Sequence, residues 1–152
     1  MQSICIKLNV LADIAYRTGL SKKGEVKLQI KESAENYLET ILILKMRLGT
    51  VRSIDIANEL SFSKPSVSIA MKNLRENGYI TIDGGNIELT EKGMDIAKKI
   101  YERHTIISEW LVNIGVSEKT ASEDACRIEH VISEESFNAF KKYVYLIDKR
   151  KL

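Results

Sequence analysis

Between Val51 and Thr90 the chain sets out an order of elements that few folds can accept. Ser53 can cap a short helix through Leu60, and the tight connection Ser61-Phe62-Ser63 follows. Ser63 can cap a second helix, with Pro65 tolerated in its first turn and Gly78 just past its end. Tyr79-Ile80-Thr81-Ile82 and Ile87-Glu88-Leu89 then alternate around Asp83-Gly84-Gly85-Asn86, which reads as a β-hairpin. Helix, three-residue turn, helix and hairpin in that order spell a winged helix-turn-helix, whose second helix is the one that enters a DNA major groove. On that helix Ser63, Lys64, Pro65, Ser66, Ser68, Lys72 and Arg75, with Arg52 ahead of the first helix, are the candidate DNA contacts. Val67, Ala70, Met71 and Leu74 are expected to face the core. Short hydroxyls and free backbone N–H groups at a helix start suit phosphate and base-edge contacts. Ile69 is expected to point outward, which is awkward unless it touches a thymine methyl. The pattern is degenerate, and winged helices also serve as protein-interaction modules.

The rest of the chain reads as helix. Tyr37, Leu38, Ile41, Leu42, Leu44 and Leu48 keep a helical period from about Lys31, and Gly49 stops it. Thr90 can cap a helix that tolerates Gly93 and carries the stripe Ile96, Ile100, Ile107 and Leu111 to about Gly115. Ser117 caps a further helix through about Ile132. Ser133 to Ser136 restart a last one through Phe137, Phe140, Val144 and Leu146. The fold class is therefore mainly α. The expected divisions are an N-terminal extension at 1–30, a winged-helix domain with a two-strand wing at 31–92, an all-helical domain at 93–147 and a tail at 148–152. Residues 1–27 show no sustained period. Lys23-Gly24-Glu25-Val26 can be encoded by a purine-rich ribosome-binding sequence, with Leu28 as a start codon. A translated leader and a genuine arm both remain open, and the nucleotide sequence decides between them.

Composition limits the alternatives. The 152 residues, 44% hydrophobic and 29% charged, suit one domain or two small ones, and eight Gly against a single Pro favour helix. The net charge of +2 does not argue for nucleic acid, because residues 1–27 carry +3 and the remainder −1. DNA binding must come from local placement of Lys and Arg. No apolar run approaches a membrane span, and no convincing signal peptide is present. Two cysteines, Cys5 and Cys126, suggest no disulfide framework, so a reducing cytoplasm is expected.

One constellation carries metal chemistry. Cys126, Glu129 and His130 fall at i, i+3 and i+4 of the helix expected after Ser117, positions that share one face. Thiolate, carboxylate and imidazole together suit a first-row divalent metal. His104 lies on the preceding helix, and Asn36 and Glu39 stand three residues apart on the first. Each element alone has a plainer reading, as a surface ion pair, a satisfied core histidine or a small apolar cysteine.

From about Glu32 to Tyr143 the chain resembles the diphtheria toxin repressor / manganese transport regulator family. The carriers are Glu35-Asn36-Tyr37-Leu38-Glu39, Ile54 to Leu60, Lys64 to Ser68, Leu89 to Gly93, Arg103-His104 and, above all, Asp124 to Ser133. The resemblance implies a winged-helix domain followed by a helical dimerisation domain, in a short form that ends before an SH3-like third domain. It implies repression of metal-uptake genes by a homodimer on palindromic double-stranded operator DNA, with Fe(II) or Mn(II) as corepressor. Zn(II), Co(II) or Ni(II) would serve in vitro. Cys126, Glu129, His130 and His104 match the family's ligands, and Asn36 and Glu39 fall where its first helix supplies others. The set is a hybrid: Cys126 follows the iron branch and Glu39 the manganese branch. Ser108 and Ser122 replace ancillary ligands of the iron branch. A metal joining the two ligand groups would set two recognition helices about 34 Å apart, one turn of DNA.

Other classes make different predictions. A metal-independent regulator would bind DNA equally in chelator, and a thiol-redox regulator would depend on Cys126. A metalloenzyme would need a nucleophile–base motif, a phosphate loop or a zincin signature, and the chain has none of these.

Overall fold

The computed structural model describes residues 23–148. Of residues 1–27, on which the leader question turns, 1–22 lie outside them, as does the tail beyond 148. Among the described residues six helices and one two-stranded sheet follow in the order α1 (Lys23–Leu48), α2 (Ser53–Leu60), α3 (Lys64–Glu76), β1 (Ile80–Asp83), β2 (Asn86–Leu89), α4 (Glu91–Asn113), α5 (Glu118–Ile128) and α6 (Glu134–Asp148). Helix α1 therefore begins ahead of the Lys31 at which its apolar period becomes regular. The chain divides into two compact units, one ending at Lys99 and the other beginning at Ile100.

In the N-terminal unit the expected apolar positions meet in one core. Leu38, Ile41 and Leu44 of α1 pack with Ile56, Ala57 and Leu60 of α2, Val67, Met71 and Leu74 of α3, and Ile80 and Ile87 of the hairpin. Each fully buried Leu, Ile or Val contributes roughly 1.5–3 kcal/mol of transfer free energy, so this shared core dominates what holds the three-helix head together. Ser63 is the N-cap of α3, its Oγ accepting from the Ser66 N–H at 3.3 Å, with Pro65 in the first turn. Ser53 does not cap α2. The N-cap is Arg52, and the Asp55 carboxylate reaches back to its backbone N–H at 2.8 Å.

The strands pair antiparallel, Ile80 with Leu89 and Ile82 with Ile87. Gly84 and Gly85 both have positive φ, 53° and 84°, which a two-residue turn matched to strand twist demands. The Ile87 N–H donates to the Val51 carbonyl at 2.7 Å, and the Asn86 side chain accepts from the Val51 N–H at 3.2 Å. The loop before α2 thus pairs with the free edge of β2. Lys45 of α1 adds an ion pair to Glu88. The hydrogen bonds from Lys45 and Asn86 hold the Glu88 carboxyl below its ordinary pKa. That tie is therefore present at neutral pH, persists through mild acid and is lost only as the pH falls below the usual carboxylate range.

Gly93 is required rather than tolerated. A Cβ there would stand 2.0 Å from the Tyr79 carbonyl oxygen. The same carbonyl accepts from the Thr90 N–H at 3.0 Å, and Thr90 Oγ1 donates to the Gly78 carbonyl at 2.8 Å while accepting from the Gly93 N–H at 3.2 Å. The start of α4 is thus seated directly on the chain leaving α3.

The C-terminal unit has a smaller core of Ile107, Ala125 and Phe137, joined by Ile106, Leu111, Ile128, Ile132 and Phe140. Ala121 and Ala125, both fully buried, let α5 approach its neighbours closely. Trp110 and Phe140 meet edge to face at 5.1 Å. Ser117 caps α5 as expected, and Ser133 accepts from the Ser136 N–H at the start of α6. Helix α5 stops at Ile128, however, not at about Ile132. Glu129 is its C-cap and His130 lies in the turn beyond.

Gly93→Ala should destabilise the N-terminal unit by about 1–3 kcal/mol, the range for forcing atoms into an already packed site. Urea unfolding followed by circular dichroism checks this, and an unchanged midpoint would contradict the seating of α4 on Tyr79.

Candidate metal centre and nucleic-acid interface

On α3 the structure separates core from surface along the expected line. Val67, Met71 and Leu74 are buried, whereas Ser63, Lys64, Pro65, Ser68, Lys72 and Arg75 are exposed, Ser66 is half-buried, and Arg52 is exposed ahead of α2. Ser63 and Ser66 share a hydroxyl hydrogen bond of 2.8 Å at the helix start. The first turn of α3 carries no acidic residue, so nothing there opposes an anion approaching the free N–H groups. Lys72 and Glu76 stand 3.9 Å apart and both are well exposed, so their pairing is weak and leaves Lys72 available. One apolar side chain of α3 and one of α2 are also exposed. Ile69 is 50% exposed and Ile54 40%, and Ile54 lines a shallow groove of about 270 Å³ with Ser53, Lys64 and Ser68. Sequence reasoning placed Ile69 outward but missed Ile54, which reads as an ordinary helix hydrophobe in a short apolar period.

Also in the N-terminal unit, α1 presents Asn36 and Glu39 one turn apart, 7% and 4% exposed. The backbone carbonyl of Asn36 accepts from Thr40 Oγ1 at 2.8 Å. A carboxylate buried to this degree is stable only with its charge compensated.

In the C-terminal unit, Glu129 is completely buried. His104 of α4 approaches one of its oxygens, Nδ1 to Oε2 at 2.7 Å, and His130 approaches the other, Nε2 to Oε1 at 3.3 Å. The His130 side chain is 4% exposed and that of His104 22%. The hydroxyl of Ser122 lies 3.4 Å from His104 Nε2. Three of the expected ligands, from α4 and from the end of α5, thus gather at one place. Glu129 is the C-cap of α5, with helical φ and ψ of −57° and −32° and its N–H on the Ala125 carbonyl at 2.9 Å, and His130 follows it in the turn. One carboxylate and two imidazoles form a donor set that first-row divalent ions accept, and a dication there would neutralise a charge that is costly to bury. The residues therefore fit a metal, with Ser122 placed to orient His104 through its second nitrogen.

Cys126 is half-buried near the end of α5. Its ligation of a metal requires the thiolate.

Comparison with known proteins follows the two units. Residues 29–84 match the iron-dependent repressor N-terminal DNA binding domain, and residues 90–149 match the iron-dependent repressor metal binding and dimerisation domain. An uncharacterised HTH-type transcriptional regulator of Methanocaldococcus jannaschii is 36% identical over 118 residues, 76% of this chain and 94% of that protein. The transcriptional regulator MntR of Escherichia coli is 35% identical over 114 residues, 74% of each chain. Among solved structures, that of the manganese regulator SloR superposes with a TM-score of 0.66 at 28% identity, over 74% of this chain. The chain spans 53% of that SloR chain.

Replacing the cap hydroxyl, Ser63→Ala, should cost about 1 kcal/mol of stability and fray the first turn of α3. Amide exchange at Ser66 and Val67 reports it, and unchanged protection would show that the cap is idle.

Proposed function

Because the chain belongs to the iron-dependent repressor family, whose members are DNA-binding transcriptional regulators and not enzymes, we propose that it represses transcription when a divalent metal occupies the site around Glu129. The observation that carries this reading is the fully buried Glu129 carboxylate with an imidazole on each oxygen. Glu129, His104 and His130 would hold the metal, joined by Cys126 as its thiolate. The metal supplies positive charge at a buried carboxylate and a coordination geometry that fixes the turn after α5. For Asn36 and Glu39 the proposal is the role that the family resemblance implies, a ligand contribution from α1.

The corepressor we favour is Fe(II), with Mn(II) second. The family is named for iron and SloR for manganese, and a thiolate at Cys126 favours softer ions over Mn(II). The partner is double-stranded operator DNA of palindromic sequence, bound by a homodimer. Ser63, Lys64, Pro65, Ser66, Ser68, Lys72, Arg75 and Arg52 form the contact set. Dimerisation is supported by apolar side chains that the C-terminal unit leaves exposed, Val112, Ile114, Val131, Tyr143 and Leu146. Trp110, Phe137 and Phe140 instead serve the unit's own core. Among the described residues no helix is long and apolar enough to cross a membrane, and a regulator of this kind works beside the chromosome, in the cytoplasm.

Operator binding titrated in reductant with Fe(II), Mn(II) and chelator tests the main reading. DNA fragments selected from a random library serve as the probe. Binding should require metal, and Glu129→Ala or His130→Ala should abolish the metal dependence. Equal binding in chelator would sink the proposal. Coordination needs neutral imidazoles, so metal affinity should fall at low pH. Lys72→Ala and Arg75→Ala should each weaken DNA binding and reduce its salt slope by about 1.

A further inference from the structure

We propose that Arg103 is the positioning residue of the metal centre: it grips the main chain of the turn after α5, so that Glu129 and His130 are presented in one fixed arrangement. The inference rests on the metal reading above and assigns a role to a residue outside the ligand set.

Arg103 immediately precedes His104 on α4 and is half-buried. Its Nη1 donates to the Glu129 carbonyl at 3.0 Å and to the Ile132 carbonyl at 3.4 Å. Its guanidinium lies over the Phe137 ring of α6, 5.5 Å from the centroid, within reach of a cation–π attraction. The two carbonyls bracket the segment that carries both proposed ligands. They lie where a helix end leaves carbonyls without an intrahelical partner, and where its dipole favours a cation. The turn's own bonds are few: Val131 and Ile132 both donate to the Ile128 carbonyl, at 3.1 and 2.9 Å. Consecutive residues of α4 therefore hold Glu129 twice, Arg103 by its backbone and His104 by its carboxylate.

A guanidinium suits this task better than an ammonium. Its rigid fork can serve two acceptors while its flat face stays on an aromatic ring, whereas lysine offers a compact point charge on a flexible stem. Without it the turn is freer to rearrange, and a metal must then order its own ligands on binding. Groups that orient ligands in this way typically change metal affinity by about 10–100-fold when removed.

The test uses the full chain in reductant without oxygen, comparing native protein, Arg103→Lys, Arg103→Gln and Glu129→Gln. Co(II) binding is followed by visible absorption, Mn(II) binding by calorimetry, and amide exchange at residues 129–133 in the metal-free protein. Metal-free melting curves set a temperature at which every variant is folded. Arg103→Gln should weaken both metals by about 10–100-fold and speed exchange across the turn. Arg103→Lys, which can still serve one carbonyl, should fall between it and the native protein. A lowered melting temperature with unchanged Co(II) and Mn(II) affinity would mean that Arg103 only stabilises the fold, and would overturn the proposal. Native protein that takes up neither metal would overturn the metal reading beneath it, and this inference with it.

Discussion

A carboxylate with no solvent exposure must be compensated by its surroundings, and much of the C-terminal unit is arranged around that requirement at Glu129. His104 comes from α4, and His130 from the turn itself. Arg103, beside His104, holds the main chain of the same residue. Charge burial is costly enough that such a group is tolerated only where partners converge. Here they converge from α4 and from both ends of a short turn, while α6 contributes the aromatic ring beneath Arg103. The early stop of α5 belongs to this arrangement. The carbonyls that Arg103 takes, those of Glu129 and Ile132, lie where a helix end leaves such groups without an intrahelical partner.

The N-terminal unit depends instead on apolar burial and on one close backbone approach. Its core fixes α3 with one face inward, so the hydroxyls and cations of the other face are displayed together. Charge placement, not net charge, makes that surface suited to DNA. Glu76 beside Lys72 is the acid on α3 itself, while Glu59 on α2 and Glu88 on the wing are engaged by Arg47 and Lys45. The wing is held at both of its edges of freedom. Its strand pairs with the loop at Val51, and its exit is seated through Thr90 and Gly93 onto Tyr79.

Much of this was legible in the residues. Local rules read Ser63 and Ser117 as caps, because a cap needs only its own hydroxyl and an N–H a few residues on. The Gly84-Gly85 turn followed from backbone sterics alone. Helical period sorted Val67, Met71 and Leu74 from Lys64, Lys72 and Arg75. What failed were readings that depend on a distant partner. Gly93 looked merely tolerated, because the carbonyl it avoids belongs to Tyr79, fourteen residues earlier. Ser53 looked like a cap because it is a serine before an apolar run, but Asp55 caps the turn from within the helix.

The sequence by itself determined the order of helices, the hairpin, the inward face of the recognition helix, and which residue types could bind a metal. These follow from periodicity, backbone sterics and side-chain chemistry, which act over a few residues. Only the tertiary structure decided that α5 ends at Ile128 and that Glu129 is buried between two imidazoles. It also decided that Trp110, Phe137 and Phe140 fill a core while Tyr143 and Leu146 stay exposed. Those outcomes depend on which surfaces meet, and a guanidinium twenty-six residues away from the carbonyl it binds leaves no local pattern to read.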